Sequence, residues 1–389
     1  MSIRKPAEVF PPGDFIREEL EERGWTQNDL AEIMDRPVTV LNAIISGKKS
    51  ITPETAVELS GAFGTSPEFW LNLENAYKLS KVDAPEDSIR ARARLFELAP
   101  IKEMERRSWI KTTKVATELE DELRRFFRTE SLDDIKTERV AARATAQDGS
   151  ELTSEQRAWC IQALRVAERV PASEYLPASI DAGIAKLREL AGSPENVREV
   201  PQLLSSIGIR FVVIEHLPKT KIDGAALWLG DGWNRPVIAL SGRYDRIDGF
   251  WHTLCHEISH IKHKDTYVVD IDIVGEKSIS DDALSEMELR ANREAAEMLI
   301  PREQLHSFVS RYRPYYTKER IIQFANQMKI HPGIVAGQLQ HLNEINWTAN
   351  REMLVKIRHI LTTAAMTDGW GSMGKSPDTR KPGRSSFGA

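Results

Sequence analysis

At 389 residues the chain exceeds one ordinary hydrophobic core and divides into two or three domains. Its 41% apolar and 29% charged residues are those of a soluble globular protein, and a net charge of −5 excludes one that coats nucleic acid by bulk electrostatics. Two cysteines, Cys160 and Cys255, are too few for a disulfide scaffold or a thiolate zinc cage, so any metal has to be held by His and carboxylate.

Met1 to Phe15 mixes charges with prolines and contains no apolar run of signal-peptide or membrane-span length, so the expected location is cytoplasmic, with no membrane partner. From Pro12 to about Lys81, Phe15, Leu20, Leu30, Ile33, Leu41, Ile44, Leu59, Phe63 and Trp70 recur at helical spacings. Start and stop signals cut this run into five short helices. Thr26 caps a helix with Asp29 three residues on, and Gly24 closes the helix before it. Asp35-Arg36-Pro37 and Ser46-Gly47 end the next two, and Thr52-Pro53 starts a fourth. Gly64 closes that one, and Ser66-Pro67-Glu68 opens a fifth. Five short helices in about seventy residues is the plan of a helix-turn-helix domain, expected over 1–81.

The stretch Phe10 to Leu79, with Ile51-Thr52-Pro53-Glu54-Thr55-Ala56 and Ser66-Pro67-Glu68-Phe69-Trp70-Leu71-Asn72-Leu73, resembles the HigA-type antitoxin branch of the XRE helix-turn-helix family. The resemblance implies a DNA-binding or toxin-binding module of toxin-antitoxin type. Arg36, Thr39 and Asn42 are the candidates for base edges, and Lys48 and Lys49 for phosphates. Residues 1–80 hold 8 Lys or Arg against 13 Asp or Glu, a poor match to a polyanion, so operator DNA and a protein partner both remain open.

A charged helical connector that packs on another surface is expected over 82–151, ending in the small polar stretch Ala144 to Glu151. A second globular region follows over 152–345. Helices near Ser154 to Arg169 and Ile180 to Ala191 precede strand-like runs at Ile207 to Ile214, Gly224 to Leu229 and Pro236 to Leu240. Helices then resume at Asp248 to His263, Leu284 to Leu299, Lys318 to Met328 and Val335 to Leu342. This order predicts an α+β fold behind an all-α domain. A C-terminal helix is expected over 346–366 and a disordered Gly-, Ser- and Pro-rich tail over 367–389.

The chemistry concentrates at His256-Glu257-Ile258-Ser259-His260. On a helix, histidines four apart project from one face and reach a single ion, and Glu257 beside them can take a proton from metal-activated water. This is the HExxH arrangement. Hydrolytic zinc takes a third protein ligand, for which Glu288 downstream is the leading candidate, with Glu286, Glu294 and His263 as alternatives. Asn292, one turn beyond Glu288, is the candidate for an outer hydrogen bond. Tyr315, Tyr316, His331 and His341 are candidate donors to the transition state. Cys255 lies about 100° round the helix from His256 and reads as a buried small residue.

The segments Asp223-Gly224-Ala225-Ala226, Arg235 to Leu240, Phe250 to His260, and Glu288 through Leu299-Ile300-Pro301 are similar to the ImmA/IrrE metallopeptidases. The likeness spans about Val200 to Leu342. It implies a zincin-like domain in which His256, His260 and Glu288 bind Zn2+ and Glu257 is the base, in an endopeptidase that cleaves a repressor or another regulatory partner. That family usually carries an aromatic residue where this chain has Glu294. The expected function is a zinc endopeptidase coupled to a helix-turn-helix module, acting on a protein substrate such as a repressor or toxin. Operator DNA and a second copy of the chain are its other candidate partners. The alternative is an antitoxin-like regulator that keeps the peptidase fold as a sensor with little turnover.

Overall fold

A computed structural model describes residues 9–81, 87–132, 145–146, 151–230, 232–265, 268–271 and 285–369. Most of the expected tail, 370–389, and most of the polar stretch at 144–151 lie outside the described residues. The chain divides into two compact units, Met1–Arg90 and Ala91–Ala389.

The first unit carries helices α1 (Pro12–Arg23), α2 (Gln27–Ile33), α3 (Val38–Ile45), α4 (Pro53–Phe63) and α5 (Pro67–Lys81). Punctuation explains their ends. Thr26 and Asp29 form a capping box at the start of α2, and Thr52 caps α4 ahead of Pro53. Gly24 and Gly64 close α1 and α4 at φ 66° and 72°, left-handed values that cost glycine nothing. Ile16, Leu30, Leu41, Ala56, Leu59 and Trp70 face inward as a small core.

Helix α6 (Asp87–Leu98) runs across the division at Arg90, and α7 (Ile101–Arg106) and α8 (Ala116–Phe127) follow in the second unit. These are the helices of the stretch expected as a connector packed on another surface, and Leu95, Met104, Leu123 and Phe126 are buried in the same core as the sheet that follows. The strongly one-sided apolar face of α8 accounts for this, because Leu119, Leu123, Phe126 and Phe127 need a partner surface.

A short β1 (Thr145–Ala146) precedes α9 (Ser154–Ala167), α10 (Ile180–Leu190) and α11 (Val200–Ser206). The strands β2 (Arg210–Val213), β3 (Ile222–Trp228) and β4 (Pro236–Leu240) come next, then α12 (Ile247–His263), β5 (Val268–Ile271) and α13 (Glu286–Leu299). The chain continues through α14 (Arg302–Tyr312), α15 (Lys318–Met328), α16 (Pro332–His341), α17 (Arg358–Ala364) and β6 (Met366–Thr367).

The fold is α+β, with a mixed sheet in the order β1-β5-β3-β4-β2-β6. β3 pairs antiparallel with both β4 and β5, while β2 and β4 are parallel. Every residue of β3 and β4 is buried, so both faces of the sheet are covered; α9 and α12 both pack on these strands. Trp159 of α9 is fully buried and donates its indole N–H to the Ile214 carbonyl at 3.0 Å, fixing helix to sheet.

The helix expected over 346–366 is confined to Arg358–Ala364. Asp245, distant in sequence, accepts the amides of Ile357 and Arg358 at 3.0 and 2.7 Å, and so sets where that helix begins.

Candidate functional site

Helix α12 is buried from Ile247 through Ile261 apart from His252, since it lies between the sheet on one side and α13 and α16 on others. A helix so enclosed holds its side chains in fixed rotamers. His256, Glu257 and His260 project from it and are each fully buried, as is Glu288 from the first turn of α13.

Ser285 caps α13 through the Glu288 amide, which sets Glu288 at the third helical position, where its negative charge faces the positive end of the helix dipole. The two imidazole Nε2 atoms stand 2.9 Å apart, and Glu288 approaches His256 Nε2 at 3.2 Å and His260 Nε2 at 3.6 Å. One donor atom from each of the three residues falls within 4.8 Å of the others.

The termination of α12 brings in a fourth residue. Lys264 adopts φ 55°, and the Asp265 amide returns to the His260 carbonyl at 2.9 Å, a reversal that folds the chain back beside the helix end. Asp265 thereby places a carboxylate oxygen 2.8 Å from His260 Nδ1, and Arg290 of α13 bonds the same oxygen. Burial raises the Asp265 carboxyl, but the hydrogen bonds and charges of His260 and Arg290 reverse that and hold it below its ordinary value.

An ionised Asp265 has no proton to give, so His260 Nδ1 is the donor. In the neutral ring this leaves a lone pair on His260 Nε2, directed at the other two donors. Two imidazole nitrogens and a carboxylate, buried together with one imidazole anchored by an outer carboxylate, fit a divalent cation that takes N and O ligands.

Glu257 faces the strand β3. A Cβ on Gly224 would lie 2.2 Å from Glu257 Oε1 and 2.9 Å from Thr253 Cγ2, so only glycine lets the strand backbone approach the carboxylate this closely. Gly224 thus adjoins the residue expected to move a proton.

The other expected residues divide. His341 stacks on His252 with centroids 5.7 Å apart and meets Trp347 edge-on at 5.1 Å, and His252 lies 6.3 Å from the His256 ring. His341 therefore belongs to a row of rings that runs from His256 through His252 to Trp347. Tyr316 instead donates its hydroxyl to Glu344 at 2.7 Å, and His331 Nδ1 accepts the Gly333 amide at the start of α16. Tyr315 is 74% exposed.

Among the described residues no hydrogen bond joins Asn292 to His256, His260 or Glu288, whereas Asp265 bonds the ring of His260. Glu294 and His263, alternatives for the third ligand, pair with each other at 2.9 Å. Glu286 is exposed. Cys255 is buried, and burial pushes its thiol up to about 12, which leaves it unreactive near neutrality.

In the first unit, Thr39, Asn42, Lys48 and Lys49 are exposed on and just beyond α3. Arg36 is committed to Glu58, with Nε to Oε2 at 2.7 Å and Nη2 to Oε1 at 2.9 Å. That paired geometry ties its guanidinium to α4.

A helix-turn-helix family model matches residues 16–70, and the model of the Peptidase M78 family, described as the IrrE N-terminal-like domain, matches 207–339. The chain is 37% identical over 81 residues to the Escherichia coli uncharacterized HTH-type transcriptional regulator YddM, spanning 21% of this chain and 86% of that protein. It is 36% identical over 77 residues to antitoxin HigA-1 of Vibrio cholerae, spanning 20% of this chain and 70% of the antitoxin. An addiction module antidote protein of the HigA family from Coxiella burnetii, of known structure, is 34% identical, covers 20% of this chain and 99% of its own, and gives a TM-score of 0.18. The chain belongs to the HigA-type helix-turn-helix regulators through its first unit, and joins to that domain an IrrE N-terminal-like domain of the Peptidase M78 family.

Proposed function

We propose that the second unit is a zinc-dependent endopeptidase acting on a regulatory protein, and that the helix-turn-helix unit localises it on operator DNA or on a protein partner. The observation that carries this reading is the convergence of His256, His260 and Glu288 with Glu257 beside them, all buried in one place.

Zinc bound by those three residues acts as a Lewis acid toward a peptide carbonyl and acidifies water. Glu257 accepts the proton of the attacking water on a carboxylate oxygen and delivers it to the departing amide nitrogen. The Gly224 backbone limits where that carboxylate can swing. Asp265 keeps the His260 proton on Nδ1, so that Nε2 remains a ligand atom.

The test is a survey of new protein N-termini after the full chain is incubated with a bacterial lysate. Zinc-loaded protein is expected to generate a specific cleavage that chelator abolishes and zinc restores. Identical N-termini with and without chelator would remove the peptidase reading.

A second reading, a regulator that retains the fold with little turnover, draws on the complete burial of all four residues and on relatives that are transcriptional regulators. It predicts zinc uptake with no new N-termini.

Asp265→Asn bears on both readings. Loss of the carboxylate that orients a metal-binding imidazole typically costs about 10- to 100-fold in metal affinity. Zinc titration against a chromophoric chelator is expected to show a loss of that size, and unchanged affinity would detach Asp265 from the site.

For the first unit, exposed Lys48 and Lys49 against an acidic balance support modest phosphate binding with a shallow salt dependence. Replacing both by Ala is expected to weaken all DNA sequences alike, because phosphate contacts position without specifying. Fluorescence anisotropy at two salt concentrations checks this. Absence of salt-dependent DNA binding by the intact protein, beside retained capture of a protein partner, would make the unit a docking surface.

A further inference from the structure

Helix α12 presents two i, i+4 pairs to α13. His256 and His260 form the first, and Glu288 meets it. Ser259 and His263 form the second, one residue edge away, and Glu294 meets that one. Ser259 is fully buried and its hydroxyl donates to Glu294 Oε2 at 2.7 Å, while His263 Nε2 lies 2.9 Å from Oε1 and 3.1 Å from Oε2. Both oxygens of one carboxylate on α13 are thus bonded to two positions of α12, a geometry that resists both sliding and rotation of one helix on the other.

Glu288 and Glu294 sit six residues apart on the same helix, so any shift of α13 that loosens the second contact also moves Glu288. Ala291, between them, and Ala295, just after Glu294, are both fully buried; they allow close helix approach and offer no long side chain that would lock the register by itself. We propose that Glu294, gripping Ser259 and His263, is a positioning residue that sets the register of α13 on α12 and so holds Glu288 at bonding distance for the metal.

This inference rests on the metal reading of His256, His260 and Glu288. Among the described residues Glu294 bonds Ser259 and His263 and none of the three ligands; it acts through the helix that carries one of them. The cost of losing it therefore falls on metal affinity, through the lost preorganisation of Glu288.

The experiment is zinc titration of the full-length chain against a chromophoric chelator, with thermal unfolding of the metal-free protein measured beside it. Glu294→Leu keeps an apolar filling without bridging, Ser259→Ala removes one arm, and Glu294→Gln keeps hydrogen bonds while removing charge. Zinc affinity is expected to fall about 10-fold or more in Glu294→Leu, the lower end of outer-residue effects, and to be largely recovered in Glu294→Gln. Ser259→Ala is expected to fall between the two, and it carries the test if Glu294→Leu does not fold. Wild-type affinity in Ser259→Ala and in every folded Glu294 variant, whatever happens to the metal-free unfolding temperature, overturns the inference while leaving the metal reading intact. No zinc uptake by the wild-type chain overturns the metal reading, and this inference with it.

Discussion

Glu257→Gln is expected to retain zinc and the fold while lowering turnover by about 10² to 10⁴-fold, the usual contribution of a positioned general base. Gln has nearly the shape of Glu, so the close approach of Gly224 and Thr253 is preserved and the site is not opened. What changes is chemical: an amide oxygen does not take the proton of the attacking water, and none is then available for the departing nitrogen. Because Glu257 is placed in no ligand role, zinc content of the variant is expected to equal that of the wild type. The check is the initial rate on a peptide spanning the cleavage site, with zinc measured on the same sample. Undiminished cleavage would take Glu257 out of the mechanism.

His260→Ala is expected to have the larger effect on the metal. It removes one of three ligands and also strands Asp265, whose carboxylate loses the ring it orients and keeps Arg290. Affinity is expected to fall by more than the roughly 100-fold that outer partners are worth, so that purified protein carries little zinc and shows no chelator-sensitive cleavage. The fold is expected to persist, because Trp251, Leu254, Ile258 and Ile261 of the same helix are buried against other parts of the core. Circular dichroism together with elemental analysis checks both halves. A variant that binds zinc at wild-type strength would move the metal elsewhere.

Much of this was legible in the sequence because it depends on local spacing. The i, i+4 interval of His256 and His260 needs only a helix to put both on one face, and the apolar pattern from Phe250 to Ile261 supplies it. The boundaries of α1 to α5 follow from Gly24, Thr26, Thr52-Pro53 and Gly64, whose preferences act within a few residues. The α+β order was likewise readable from the change of period between Ile180 and Leu299.

What was not legible depends on chain reversals and long-range packing. Asp265 reaches His260 only because the chain turns at a left-handed Lys264, a residue type that gives no such signal. Nothing in the spacing around Glu288 pointed to Asp265, which bonds the His260 ring. The pairing of Arg36 with Glu58, twenty-two residues on, likewise has no local signal. That α6 to α8 pack on something was legible, but which surface was not, because it is formed by residues far along the chain.

Zinc stoichiometry tests the central claim most directly. The full-length chain, stripped by chelator and dialysed against a small excess of zinc, is expected to take up about one ion per molecule, as three-ligand hydrolytic sites do. His260→Ala, treated in parallel, is expected to take up essentially none. A wild-type chain that takes up no zinc, or one that holds it equally well without His260, would contradict the account.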